Sequence, residues 1–130
     1  MLKIFVDTNV LLHARELRIV LEDSIGQIID QDFELFLHPT VQNELIQAAG
    51  IAGKMGRRAK LALELTSQLL MYRDSQVYDG TDIAILESAL RESGVVLTFD
   101  KKLRHRCVAR GIAVVSNYKQ SRLKLYGFLD

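Results

Sequence analysis

The chain has 130 residues, of which 48% are hydrophobic and 25% charged, as is typical of one globular domain rather than of a disordered protein. No apolar run approaches the roughly 20 residues that cross a bilayer, and Asp7 interrupts the N-terminal apolar stretch, so we expect no secretory signal. Cys107 is the single cysteine, so we expect a cytoplasmic protein without internal disulfides or a membrane partner, with Cys107 as a small core residue.

Charge is unevenly distributed along the chain. Residues 1–100 contain nine Lys and Arg against fifteen Asp and Glu, whereas residues 101–130 contain eight against one. An acidic body beside a basic end suits a protein that binds a metal ion next to a polyanion. A solvated charged surface explains the same pattern, and charge alone slightly favours that interpretation.

The first part of the chain predicts a strand over residues 2–6 and a helix from residue 8. A second helix is predicted over residues 17–31, a second strand over 34–38 and a third helix over 39–49. Asp7 can cap the first helix, and Pro39 can open the third because its missing N–H costs nothing there. Four apolar residues supply most of the stripe of the second helix: Val20, Ile25, Ile28 and Ile29.

The second part begins with a glycine-rich turn or mobile loop over residues 50–56. Helices are predicted over residues 57–72, 83–92 and 101–110, and strands over 95–98, 112–115 and, more weakly, 122–128. Gly94 and Gly111 are expected to end the last two helices. Short apolar strands alternating with helices indicate one α/β domain over residues 1–130, with a parallel sheet of four to five strands covered on both faces.

Four acidic residues are candidates for a metal site. Asp7 and Asp100 each follow a predicted strand, and the carboxyl ends of parallel strands lie at one edge of a sheet. Asp82 lies in the first turn of a helix, and Glu44 lies at the border of an apolar helical stripe. Mg²⁺ and Mn²⁺ prefer such oxygen ligands. Taken singly, each aspartate is better explained as a helix cap, and Glu44 as a surface residue at the edge of the stripe; it is the combination that favours a metal site.

Four blocks, in order along nearly the whole chain, resemble the PIN-domain nuclease family. They are residues 5–12 with Asp7-Thr8-Asn9, residues 38–45 with Glu44-Leu45, residues 81–89 with Asp82 before Ile-Leu-x-x-Ala, and residues 97–104 with Asp100, followed by Ala109-Arg110-Gly111-Ile112. Two positions depart from the family pattern. Phe99 stands where many relatives have Asn, and Ile83 stands where many have a second Asp. Both departures leave the number and affinity of the metal ions open.

The resemblance implies a PIN-like three-layer α/β/α sandwich and a ribonuclease dependent on Mg²⁺ or Mn²⁺. One or two ions per site would be held by Asp7, Glu44, Asp82 and Asp100, and Asn9 or Thr8 would orient water or metal. Water activated at the ions would hydrolyse phosphodiester bonds of single-stranded RNA and leave 5′-phosphate and 3′-hydroxyl ends. A homodimer is the family-based expectation. The resemblance covers VapC-type toxins, which have an antitoxin partner, as well as stand-alone archaeal and ribosomal-RNA-processing PIN proteins.

Basic residues near the fourth block are candidates for phosphate contacts. They are Lys101, Lys102, Arg104 and Arg106, together with Arg110, Lys119, Arg122 and Lys124. A second arm comprises Lys54, Arg57, Arg58 and Lys60, although an exposed helix start explains these residues slightly better. Tyr118 and Tyr126 are expected to pack in the core or an interface rather than to stack on bases.

The alternative to an enzyme is a non-catalytic α/β module that binds RNA or protein, in which the acids are helix caps. A receiver-type phosphoacceptor is less favoured because the acidic pair it requires near the N-terminus is missing.

Overall fold

The computed structural model of the chain describes residues 1–119 and 121–129. Within these residues the strands are β1 Leu2–Val6, β2 Phe33–Leu37, β3 Leu70–Met71, β4 Val95–Leu97, β5 Val114–Tyr118 and β6 Arg122–Tyr126. They form one sheet in the order β3-β2-β1-β4-β5-β6. All neighbouring pairs are parallel except β5 and β6, which are antiparallel.

Helices connect and cover these strands: α1 Thr8–His13, α2 Leu21–Gly26, α3 Pro39–Ala49, α4 Lys54–Leu65, α5 Thr81–Glu92 and α6 Lys101–Ala109. α3 packs closely against α4, α5 against β1, and α6 against β5. Consecutive residues of β1 and β4 are fully buried, which requires cover on both faces of the sheet because successive side chains point to opposite faces. The predicted α/β class with a covered, mainly parallel sheet is therefore confirmed. Within the described residues, no helix has the length and apolar character needed to cross a bilayer.

The sheet has six strands within the described residues, rather than four to five, because the predicted helix over residues 57–72 is wrong in its second half. α4 ends at Leu65, a 3₁₀ turn follows over Thr66–Gln68, and β3 then pairs with β2. Thr66 Oγ1 donates to the Leu63 carbonyl over 2.6 Å, and Ser67 Oγ donates to the Glu64 carbonyl over 2.9 Å. Hydroxyl groups that bond to the preceding turn in this way compete with helix continuation.

Two further expectations are corrected. The helix predicted over residues 17–31 is confined to α2, and Val20 is 63% exposed rather than part of an apolar stripe. α5 does end where expected, but the left-handed residue is Ser93, with φ of 52°, and not Gly94. Gly94 is required for another reason: a Cβ atom there would lie 2.5 Å from the Lys3 carbonyl oxygen of β1.

Candidate metal and nucleic-acid site

Asp7 lies at the carboxyl end of β1, where it caps α1 and is only 5% exposed. Its Oδ1 accepts a hydrogen bond from the Thr8 backbone N–H over 2.8 Å, and its Oδ2 accepts one from Thr98 Oγ1 over 2.7 Å. The pKa of Asp7 is raised to about 6, mainly by burial; the two hydrogen bonds oppose this rise, and the negative charges of Asp82 and Glu44 contribute to it. A buried carboxylate surrounded by other acids favours the arrival of a cation.

Thr98 joins the ends of β1 and β4, and sequence reasoning assigned it no role. Its hydroxyl donates to Asp7 and accepts a hydrogen bond from the Asp100 backbone N–H over 3.0 Å. Asp100 in turn caps α6 by accepting from the Lys102 backbone N–H over 2.8 Å. The signal for this role was a single polar residue at the end of an apolar run, since Thr98 is fully buried directly after Leu97.

Thr8 and Asn9 connect the end of β1 to the neighbouring elements. Thr8 Oγ1 donates to Glu44 Oε1 over 3.0 Å, which brings α3 to the same edge as Asp7. Asn9 Oδ1 accepts from the Phe99 backbone N–H over 3.1 Å and so braces the connection between β4 and α6. These contacts place both residues beside the acids, and their role toward water or metal stays a prediction.

Asp82 lies in the first turn of α5 and completes the acidic group. Burial raises its pKa, as do the charges of Asp100 and Glu44, while the charge of Arg106 lowers it. Cys107 on α6 lies close enough for the charges of Asp7 and Asp82 to raise the pKa of its thiol. It is fully buried, as expected for a core residue, and burial raises the pKa of its thiol to about 12.

A polar network holds the segment that leads into α5. The Asp74 carboxylate accepts from the Tyr78 hydroxyl over 2.5 Å and lies 3.3 Å from His38 Nε2. Arg91 of α5 donates to the Tyr78 hydroxyl over 2.6 Å and to the Tyr72 hydroxyl over 3.1 Å. His38 is buried and accepts the Thr40 backbone N–H at the start of α3. The network therefore links the elements that carry Glu44 and Asp82.

The donor chemistry of the site fits Mg²⁺ or Mn²⁺, because its candidate ligands are carboxylates alone. The charges of Asp82 and Glu44 lie close enough to Asp7 to raise its pKa, and those of Asp100 and Glu44 lie close enough to Asp82 to raise that of Asp82. In the part of the chain that the structure describes, however, no three His, Cys, Asp or Glu side chains form a ready-made metal-holding group. Side chains of the acidic group would thus have to adjust when an ion binds.

The predicted substrate residues fall into two surfaces. Lys101, Lys102 and Arg106 are exposed on α6, next to the Asp100 cap, and Arg104 stacks on Tyr126. Lys54 and Arg57 are exposed on α4, but Arg58 is paired with Glu16. Contact with a substrate stays a prediction for all of them.

Comparison with protein-family models identifies the family of this chain. Residues 4–120 match the family model described as a PIN like domain. The chain belongs to the PIN-like domain family. Comparison with curated proteins finds none that matches.

Solved structures of other proteins share the fold of this PIN-like chain. The PIN domain endonuclease Utp24 is 19% identical with a TM-score of 0.78, and the match covers 98% of this chain and 93% of that one. A domain of a functionally unknown protein from Methanocaldococcus jannaschii is 20% identical with a TM-score of 0.68 and full coverage of both chains. VapBC-1 from nontypeable Haemophilus influenzae is 16% identical with a TM-score of 0.64, covering 88% of this chain and 98% of that one. At these identities the likeness shows the fold.

Proposed function

We propose that this PIN-like protein is an endoribonuclease that hydrolyses phosphodiester bonds in single-stranded RNA with the help of Mg²⁺ or Mn²⁺. Family membership supports nuclease activity in general, and the similar structures include a PIN domain endonuclease. The environment of Asp7 is the observation that supports metal-dependent cleavage of RNA. Its carboxylate is buried among other acids, has a raised pKa and has no ion-pair partner within residues 1–119 and 121–129.

The residues that would hold one or two ions are Asp7, Glu44, Asp82 and Asp100. When bound, such an ion lowers the pKa of water and neutralises charge on the phosphoryl group. Thr98 fixes the direction of the Asp7 carboxylate and the position of the Asp100 backbone. Thr8 holds Glu44 against the end of β1, and α6 presents Lys101 and Lys102 to phosphates beside Asp100.

The biological setting is a second part of the proposal. The structural likeness to VapBC complexes supports an antitoxin protein as a partner, and a role in RNA processing is the alternative that the sequence resemblance implies. A DNA-binding protein encoded beside this chain that abolishes its cleavage of RNA on mixing would favour the toxin. A homodimer and a cytoplasmic location belong to the same proposal, and sedimentation of the purified protein tests the dimer.

The test is cleavage of a labelled single-stranded RNA with Mn²⁺, Mg²⁺ or EDTA. Wild type is expected to cleave with either metal and to stop in EDTA. Asp7→Asn and Asp82→Asn are expected to lose about 100-fold or more, because several kcal/mol of charge stabilisation disappears. Asp23→Asn is the matched control, since Asp23 is an exposed acid of α2.

Cleavage that persists unchanged in both site variants would come from a contaminating nuclease and would reject the site. Wild type that binds RNA but cleaves with neither metal would instead support the non-catalytic binding module.

A further inference from the structure

The β5–β6 hairpin extends past the sheet edge that carries the acids. Val115 of β5 lies opposite Leu97, the last residue of β4, so β5 continues for three more residues up to Tyr118. At roughly 3.3 Å per residue the hairpin projects by about 10 Å beyond the end of β4. Asp100 follows β4 by three residues, and the projecting part of the hairpin therefore flanks the acidic group.

Cations and aromatic rings alternate along this hairpin and the neighbouring helix α6. We call them the hairpin surface, which comprises Arg104, Tyr118, Lys119, Lys124 and Tyr126. Lys124 Nζ lies between two rings, 5.5 Å from the centre of Tyr118 and 5.4 Å from that of Tyr126. The Arg104 guanidinium lies 4.2 Å from the Tyr126 ring, and Lys119 Nζ lies 5.4 Å from the Tyr118 ring. The surface thus runs continuously from α6 to the projecting end of the hairpin.

The side chains of the hairpin surface are open to a ligand. Tyr126 packs against the core, whereas Tyr118 is 43% exposed and does not pack in the core of this chain. Lys119 and Lys124 are exposed, and neither they nor Arg104 pair with a carboxylate among the described residues. An exposed ring flanked by cations offers a stacking face for a base and ammonium groups for the adjoining phosphates.

We infer that the hairpin surface binds single-stranded RNA and holds nucleotides on one side of the bond to be cleaved. A base stacks on Tyr118, and Lys119 and Lys124 contact the phosphates next to it. This assignment rests on the proposed ribonuclease function, because the same RNA strand would continue along α6 to the acidic group. The cation–aromatic contacts hold the rings and the ammonium groups in place before RNA arrives, which lowers the ordering cost of binding.

The direct test is binding of a fluorescent oligouridine of about 12 nucleotides, within the range that single-strand binding sites cover, measured by anisotropy in EDTA. Tyr118→Leu is expected to weaken binding by at least about 5-fold, because it removes a stacking face. Tyr118→Phe keeps the face and should bind within about 2-fold of wild type, which separates stacking from a hydroxyl contact.

Charge is tested separately from stacking. Lys124→Ala should weaken binding and reduce the slope of log affinity against log salt by about 0.7, the value for one phosphate contact on a single strand. Arg15→Ala removes an equal charge from an exposed residue just beyond α1 and should change neither quantity. Equal melting temperatures for all variants establish that folding is intact. Wild-type affinity and slope in both Tyr118→Leu and Lys124→Ala would overturn the inference and leave the hairpin surface to packing or to a protein.

Cleavage kinetics keep this inference distinct from the proposed function. On the same RNA, Tyr118→Leu is expected to raise KM with little change in kcat, unlike Asp7→Asn. RNA binding that depends on Tyr118, in a wild type that never cleaves, would reject the nuclease and retain the hairpin surface. Cleavage that depends on Asp7, with binding that is independent of Tyr118 and Lys124, would reject the hairpin surface alone.

Discussion

Replacing Asp7 by Asn should make the metal-free protein more stable at neutral pH while it abolishes function. The pKa of Asp7 is raised by burial from 3.8 to about 6. Between these two pH values the folded protein keeps a proton that the unfolded chain has lost, so stability falls as pH rises. Below the lower value both states are protonated and the penalty is absent; above the higher value it is complete. An amide carries no such charge.

The magnitude follows from the shift and from the two hydrogen bonds at Asp7. A gap of about 2 pH units corresponds to about 3 kcal/mol of lost stability in wild type at pH 7. Asn remains a good helix cap, but its single oxygen can accept from Thr8 N–H or from Thr98 Oγ1 and not from both, which costs about 1 kcal/mol. Asp7→Asn should therefore be about 2 kcal/mol more stable than wild type at pH 7 and slightly less stable near pH 4.

Urea unfolding in EDTA at both pH values measures this difference in free energy of unfolding. EDTA is essential, because a bound cation would reverse the penalty on the ionised carboxylate. Asp23→Asn serves as the control, since that exposed residue should change stability little at either pH. An equal difference between wild type and Asp7→Asn at pH 4 and at pH 7 would show that the charge of Asp7 does not cause the loss of stability.

Three further predictions concern the metal, the polar network and the packing of α5. Manganese at about 100 times its Kd should stabilise the wild-type fold by about 2.7 kcal/mol, which is measured as a higher Tm. A similar rise in Tm for Asp7→Asn would contradict the assignment of Asp7 as a ligand. Asp74→Ala should lower the free energy of unfolding by about 2–3 kcal/mol, because the Tyr78 hydroxyl, the Gln76 N–H and His38 lose their shared partner. Burial raises the pKa of Asp74, but these hydrogen bonds outweigh burial and lower the pKa to about 2. The loss of stability in Asp74→Ala should therefore be full above pH 4 and shrink as the pH falls toward 2. A loss of stability that is independent of pH would be inconsistent with this cause. Gly94→Ala should cost about 1–3 kcal/mol in urea unfolding, because its Cβ would press on the Lys3 carbonyl, and a neutral result would show that α5 can shift away from β1.

The strand ends were predictable from the sequence because topology alone determines where they meet. Asp7 and Asp100 follow apolar runs, and parallel strands bring such positions to one edge whatever the packing details are. The spacing of α3 likewise placed Glu44 at the border of its buried face, and its contact with Thr8 agrees with that position. Backbone direction and helical periodicity are therefore sufficient to predict where these three acids lie.

The features that escaped prediction depend on contacts between distant side chains. β3 has two residues, and Leu61, Leu65 and Leu69 before it continue a helical spacing, so no local pattern marks its pairing with β2. The role of Thr98 requires knowing that Asp7 lies opposite it, 91 residues away. Whether the four acids can hold an ion depends on their side-chain rotamers, which the sequence does not determine.

The buried thiol of α6 gives the protein a natural probe of its own opening. Because Cys107 is the chain's single cysteine and is fully enclosed, a thiol-reactive dye can label it only when α6 separates from the sheet. The labelling rate therefore measures how often the helix that Asp100 caps separates from the sheet, with no engineered cysteine required. Slower labelling after addition of a divalent ion would show that cation binding reaches the protein interior by holding this helix closed.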